Sequence, residues 1–415
     1  MIFECYQILY KIFAKSAYAN LALNSGLKSA NEKDKKVITR IVYGVIEKNL
    51  FLDYVIKKLT KKYPHFIDAV ILKMGVYQIY FMDEPDYAVV NNMVELAKKL
   101  KRSPSFINAV LRKCKSVELP KDEYERKSLE YNVPVWAIKE VEKDYGVETA
   151  EQFFSHPKQL LTHIRRNPRK INREEFEKHL DFNTDTKTAY GYYVCHNTLR
   201  KLNSIDNSLF TVQSLGSMAV CMAAEVKDGY KVLDVCAAPG GKSVFLRQLA
   251  DISLISCDIH PHRLELINSY KNRMGETDIQ VIQNDAAVFR PEWENKFDVV
   301  LCDVPCSGLG VLGSRADIFE HKTLDNIEEL TELQLKIIST SAKYVKQGGH
   351  LIYSTCTILK RENQDIVDKF LSQNPDFIAE PVKVEVDSMK IGDYVQLMPH
   401  ISNTDGFFIA KVRRK

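Results

Sequence analysis

The chain has 415 residues, enough for two or three domains and more than one core. Its 45% hydrophobic and 27% charged content is ordinary for a soluble globular protein, and a net charge of +4 is too mild to argue for nucleic acid by itself. No stretch reaches the ~18 uncharged apolar residues of a membrane span, since Lys73 interrupts the most apolar one, "IDAVILKMGVYQIYF".

The opening "MIFECYQILYKIFAKSAYA" is apolar, but Glu4 comes first and Lys11 and Lys15 interrupt it, which suits an amphipathic helix rather than a secretory signal. Apolar residues three and four apart in "NEKDKKVITRIVYGVIEKNLFLDYVIKKL" predict further helix. "DAVILKMGVYQIYFM" predicts a buried helix ending at the Asp83–Asp86 turn with Pro85. "SPSFINAVLRKCK" opens with serine then proline, a helix start. Residues 1–125 are thus expected to form an all-α domain. Its run 98–115 holds seven Lys or Arg and no acid, which reads either as a solvated helix face or as an RNA-contacting one.

Residues 126–208 change character. "NVPVWAIKEVEKDYG" looks helical, whereas "QLLTHIRRNPRK" and "GYYVCHN" look like short strands, so a small α+β connector is expected. Arg165, Arg166, Arg169 and Lys170 form a second basic cluster there. From 209 to 415 strand, glycine turn and helix repeat, through "YKVLDVCAAPGGKSVFLRQLA", "SLISCDIHPHRLELINSYKNRMG", "IQVIQNDAA", "KFDVVLCDVPCSG" and "GGHLIYSTCT". That alternation predicts a Rossmann-like α/β domain with helices on both faces of a parallel sheet; "DYVQLMPHISNTDGFFIAKVRRK" reads as a closing hairpin.

Ligands of open α/β sheets bind beyond the carboxyl ends of the strands, where every distinctive residue of this region lies. Cys236, Ala237, Ala238, Pro239, Gly240, Gly241 and Lys242 form a small-residue loop that lets a ligand approach a helix N-terminus. "CAAPGGKS" ends like a phosphate-gripping P-loop, but Cys236 stands where the first glycine belongs, and G-x-G-x-x-G is absent. Asp258 at the end of the next strand could accept both hydroxyl hydrogens of a ribose, and Asp285 at the third strand's end could reach an adenine. S-adenosylmethionine, an adenosine bearing a cationic sulfonium, fits such a set of acids. The alternative is that these acids are helix caps.

Nine cysteines in a chain without an export signal suggest reduced thiols in the cytoplasm, and no Cys/His cluster has zinc-like spacing, so no metal is expected. Cys306 in "DVPCSGLG" and Cys356 in "YSTCT" end neighbouring strands on the cofactor side. They could be structural thiols, a disulfide, metal ligands or a working pair. Methylating C5 of a pyrimidine needs a nucleophile on C6, which a thiolate supplies. Asp303, three residues before Cys306, could hold the cytosine and favour protonation at N3.

"CAAPGGKS", "DVPCSGLGV", "YSTCT" and "TDGFFIAKV" resemble the motifs of the RNA cytosine-5 methyltransferases. "AYANLALNSGL", "ITRIVYGVI", "LKMGVYQIYFMDEPDYAVVN" and "FINAVLRK" resemble the NusB-like domain of the RsmB (Sun) type, and the match spans nearly the whole chain. This resemblance implies a methyltransferase acting on a cytosine of 16S ribosomal RNA; a monomer without metal or membrane partner is expected. It implies Cys356 as nucleophile, Cys306 as the group assisting proton removal and product release, and cofactor contacts from residues 236–242, Asp258, Asp285 and Asp303. It also moves the run 98–115 towards RNA contact. "LGSRADIF" departs from the family pattern, keeping only Arg315 and Asp317. A non-enzymatic RNA-binding factor and a nucleotide hydrolase using "GGKS" are the competing readings.

Overall fold

The amphipathic opening segment forms the helix Ile2–Lys15 and buries Cys5, Tyr6, Ile8, Leu9 and Ile12 along one face. The computed structural model describes residues 1–415 apart from 16, 18, 28, 29, 157–161, 181–184, 187, 316 and 321. The chain divides into two compact units, Met1–Ala150 with Arg315–Thr323, and Glu151–Ser314 with Leu324–Lys415.

In the first unit helices surround Phe66–Phe81, which is buried along almost its whole length. Its two buried charges are both matched. Lys73 donates to Asn49 (2.6 Å) and Asp53 (3.1 Å), and Asp68 takes a two-pronged bond from Arg102 at 2.8 and 2.6 Å. Pro104–Leu111 begins as its sequence predicts, with Ser103 Oγ accepting from the Phe106 N–H. The basic run is largely occupied within the unit. Arg102 pairs with Asp68, Lys98 with Glu95 and Lys115 with Asp86, while Lys99 lies 3.7 Å from the Phe3 ring centroid.

The expected boundary at 125 falls inside this unit. Helices Glu123–Tyr131 and Val135–Tyr145 belong to it because Asn132, in a left-handed conformation at a helix end, accepts from Leu50 N (2.9 Å) and donates to Ile46 O (3.2 Å). The expected boundary at 208 likewise lies inside the second unit. Within the first unit, Asp317 accepts a buried bond from Ala19 N at 3.0 Å, at the start of Ala19–Gly26, and Phe319 meets Trp136 edge-on. Asp317 of the atypical "LGSRADIF" thus has a structural task; Ala316 lies outside the described residues.

The second unit carries two sheets. Asp185–Thr186, Gly191–Val194, Thr162–Arg166 and Phe210–Val212 make a small antiparallel sheet over a core of Ile164, Phe176, Tyr192, Val194, Leu202 and Phe210. Half of the second basic cluster is interior, Arg165 and Arg166 being buried and Arg169 and Lys170 exposed. Arg165 is fully buried with its guanidinium bonded to Gln213 and Gln248, and Lys170 donates to Ser208.

The large sheet has a parallel half, Val345–Thr355, Phe297–Asp303, Lys231–Asp234, Ser253–Asp258 and Gln280–Gln283 in spatial order. An antiparallel half is added beyond Val345–Thr355, beginning with Phe407–Arg414 and then Tyr394–Leu397, the closing hairpin. From Lys231–Asp234 the chain steps one way to Ser253–Asp258 and Gln280–Gln283. It then returns to the other side through Phe297–Asp303. That reversal opens a crevice at the carboxyl ends of Lys231–Asp234 and Phe297–Asp303.

Candidate active site

The loop Cys236–Lys242 leaves the central strand and enters the helix Gly241–Leu249. Gly240 has φ +106°, and a Cβ there would sit 3.2 Å from Ile267 Cα, so the turn requires glycine. Ala237 N–H donates to Cys257 O at 2.7 Å and Gly240 N–H to Ala237 O at 2.7 Å, which curls the loop against the next strand.

Lys242 and Ser243, which a P-loop would turn towards phosphate and metal, face carboxylates instead. Ser243 Oγ donates to the buried Asp234 at 2.6 Å, and Lys242 Nζ lies 2.6 Å from Asp303 Oδ2. Burial pushes the Asp234 carboxyl up to about 7, and the neighbouring Asp303 charge adds to this against the Ser243 bond. Its Oδ1 is buried without a hydrogen-bond partner among the described residues, as is the Asn284 amide nitrogen. An orphaned buried acceptor, nearby acids and a glycine turn fit an adenosine with a cationic sulfonium and oppose a triphosphate.

Asp258 is 3% exposed. Its Oδ1 accepts from His260 N (3.1 Å) and its Oδ2 faces Arg263 at 3.2 Å. Asp285 Oδ1 accepts from Ala287 N at 2.9 Å. Neither acid caps a helix: the N-cap of Pro261–Met274 is His260, a turn follows Asp285, and both contacts are bonds to a backbone N–H two residues on, which leaves an ionised carboxylate lone pairs for a second partner.

The two cysteines converge. Cys306 lies in the loop after Phe297–Asp303 and Cys356 directly after Val345–Thr355, parallel neighbours in register with Asp303 opposite Ser354. Their sulfurs stand 3.3 Å apart, both half-buried, as free thiols. The hydrogen bond to Cys356, then burial, pushes the Cys306 thiol well above the usual thiol range. Either sulfur can be the donor in this contact.

Asp303 stands beside them, accepting from Lys242 and, on Oδ1, from Ser354 Oγ at 2.7 Å. Burial alone would lower the Lys242 pKa, but Asp303's charge and hydrogen bond, with the Cys221 and Cys356 sulfurs adding a little, raise it instead. Lys242, which its loop motif assigns to the cofactor, therefore also supplies positive charge beside the thiols. Among the described residues no group of three His, Cys, Asp or Glu could hold a metal ion, and no helix is long and apolar enough to cross a membrane.

Beneath the thiols lies a polar network that motif reading misses. Glu362, fully buried, accepts from Ser307 N (2.8 Å), Ser307 Oγ and Gln334 Nε2 (3.0 Å). Asn363 accepts from Thr355 Oγ1 at 2.6 Å and donates to Thr357 O at 3.1 Å. Gly310 N–H donates to Cys356 O (3.0 Å), and Gly310 O accepts from Gly406 N at 2.7 Å.

Comparison with known proteins agrees with this layout. The family model described as "16S rRNA methyltransferase RsmB/F" matches residues 221–413, and that of the "NusB family" matches residues 5–116. The chain is 33% identical to the "Probable ribosomal RNA small subunit methyltransferase B" of Bacillus subtilis, covering 99% of this chain and 97% of that protein. It is 30% identical to the protein of the same description from Synechocystis, covering 98% of each. Among solved structures, PH0851 superposes with a TM-score of 0.86 over 99% of this chain and 98% of its own at 24% identity. NSun6 from Pyrococcus horikoshii, solved with SFG, gives 0.58 over 68% of this chain and 98% of its own at 21% identity. Both likenesses concern the fold.

Proposed function

The chain belongs to the 16S rRNA methyltransferase RsmB/F family of S-adenosylmethionine-dependent small-subunit ribosomal RNA methyltransferases, and on that premise we propose that it methylates C5 of one cytosine in 16S rRNA through a cysteine–C6 adduct. The observation that carries this reading is the 3.3 Å approach of the Cys306 and Cys356 sulfurs beside the Lys242–Asp303 pair.

In this reading Asp234, Asp258, Asp285 and the loop 236–242 hold S-adenosylmethionine, which when bound supplies an electrophilic methyl group. Asp303, fixed by Lys242 and Ser354, offers its remaining lone pairs to the protonated N3 edge of the cytosine. Cys356 adds to C6 and makes C5 nucleophilic. Once Cys356 is a neutral thioether, the hydrogen bond that chiefly held the Cys306 proton is gone. Cys306, its own proton released to water, then takes the C5 proton; the C5–H electron pair restores the C5–C6 double bond and expels the Cys356 sulfur as a thiolate. Each cysteine thus has its own part in the cycle. C6 and C5 are out of reach in a stacked duplex, so the cytosine enters unpaired or flipped out. The NusB-like helices we assign to holding the RNA, and the cytoplasm, where ribosomal RNA is made into ribosomes, to the reaction.

The test uses purified 16S rRNA and labelled donor. Cys356→Ala is expected to abolish transfer, and full turnover would refute its assignment as nucleophile. Cys306→Ala is expected to leave protein joined to RNA on a denaturing gel; normal turnover without adduct would remove Cys306 from the mechanism.

A further inference from the structure

Each cysteine is followed by a hydroxyl residue, Ser307 after Cys306 and Thr357 after Cys356, and these hydroxyls are 2.8 Å from each other. Both belong to one buried polar cluster around the Glu362 carboxylate. Its Oε1 accepts from the Ser307 backbone N–H and from Gln334 Nε2, its Oε2 from Ser307 Oγ, and Thr357 is also a hydrogen-bond partner. Gln334 in turn donates to Pro305 O at 2.9 Å, on the other side of Cys306. The Tyr353 hydroxyl donates to the Glu362 carbonyl at 2.7 Å, which pins the acid's own backbone to the strand leading to Cys356.

A buried carboxylate is costly unless its lone pairs are filled, and here they are filled by both cysteine loops at once. We propose that Glu362 is a positioning residue for the methyl transfer, its carboxylate clamping the loops after Cys306 and Cys356 together and so setting the approach of the two sulfurs. This inference rests on the reading of the two cysteines as the catalytic pair.

Among the described residues the hydrogen bonds of Glu362 go to Ser307, Gln334, Tyr353 and Thr357 and none to the donor loop 236–242, so its loss should weaken catalysis without weakening donor binding. In Glu362→Ala the Ser307 N–H, Ser307 Oγ and Gln334 amide lose their common acceptor and the loops can separate. A misplacement on the order of 1 Å costs about 100-fold in rate. The expected result is kcat reduced about 100-fold with the KM for S-adenosylmethionine within about twofold of wild type. Glu362→Gln keeps one acceptor of the same shape, and is expected to recover kcat to within about tenfold. A general loss of structure would instead lower donor binding together with kcat, and glutamine would give no rescue.

The assay is steady-state transfer from labelled S-adenosylmethionine to purified 16S rRNA, with donor affinity measured separately by calorimetry. Wild-type kcat in Glu362→Ala, or a donor affinity that falls in step with kcat, overturns the proposal. Should that variant fail to fold, Ser307→Ala decides. It removes only the hydroxyl shared by Glu362 and Thr357, kcat is expected to drop about tenfold at unchanged donor KM, and an unchanged kcat overturns the proposal. Cys356→Ala, run alongside, separates the two failures. If it retains turnover the catalytic pair itself is wrong; if it is dead while Glu362→Ala is normal, only the clamp is wrong.

Discussion

Replacing Gly310 by alanine should slow the reaction while leaving the donor in place. A Cβ built at Gly310 would lie 2.2 Å from the Gly406 carbonyl oxygen and 2.8 Å from that of Cys356. Both neighbours are backbone atoms that cannot rotate away. An ordinary contact of about 3.4 Å or more requires the Gly310 and Gly406 segments to part by roughly 1.2 Å. That movement stretches the bonds from Gly310 N–H to Cys356 O and from Gly406 N–H to Gly310 O. Overpacking of this kind costs about 1–3 kcal/mol, so the melting temperature should fall by several degrees. Because the second crowded carbonyl, at 2.8 Å, belongs to Cys356 itself, kcat should fall about 100-fold, with donor affinity within about twofold. Labelled-methyl transfer to 16S rRNA, calorimetry with S-adenosylmethionine and a thermal melt read the three quantities. A Gly310→Ala enzyme with kcat within twofold of wild type would show that this contact does not hold Cys356.

Four further outcomes follow from the charges and caps. The Asp234 carboxyl, raised to about 7, should gain its charge between pH 6 and 8, so calorimetry should find the affinity for the cationic donor rising about tenfold over that range, and Asp234→Asn should flatten the curve. The same raised value means that Asp234 favours folding most below pH ~4 and loses that contribution as pH climbs through about 7; relative to wild type, the asparagine variant should melt higher at pH 8 than at pH 5. Lys242→Met removes the cation beside the thiols, and alkylation of Cys356 at pH 7, followed by mass spectrometry of its peptide, should slow about tenfold; an unchanged rate would rule out the ammonium as the thiol's electrostatic partner. Asp317→Ala deprives the buried Ala19 N–H of its acceptor and should cost about 1–2 kcal/mol in a denaturant titration, with no change in donor affinity.

The donor side of the site was legible because its logic is local. A strand, a glycine that only a left-handed turn requires and a helix start lie within ten residues, and the acids stand at strand ends where the topology puts ligands. The thiol side was legible only as two candidates, because their 3.3 Å approach depends on the register between strands fifty residues apart. Glu362 was not legible. It sits in "LKREN", a run that reads as a solvated turn, and it is buried only because Ser307 and Gln334 arrive from elsewhere. The same limit applies to charge. Arg102 and Lys115 read as free cations in a basic run, yet their partners Asp68 and Asp86 are 34 and 29 residues away in sequence. The boundary at 125 shows the same limit, since a change in composition does not reveal that Asn132 bonds back to Ile46 and Leu50.

The nine-residue excursion Arg315–Thr323 has a consequence for synthesis. Apart from the single turn Ile318–Glu320, the described helices of the first unit begin within its first 150 residues, but Asp317 and Phe319 reach it only after most of the second unit has left the ribosome. At about 5–20 residues per second, the nascent first unit waits roughly ten to thirty seconds with the Ala19 amide unmatched and Trp136 without its ring partner. The last step in completing this early unit is therefore taken by a late part of the chain, so a nascent chain halted before residue 317 should hold its helices yet be more readily cut by protease near Ala19 than one halted after residue 323.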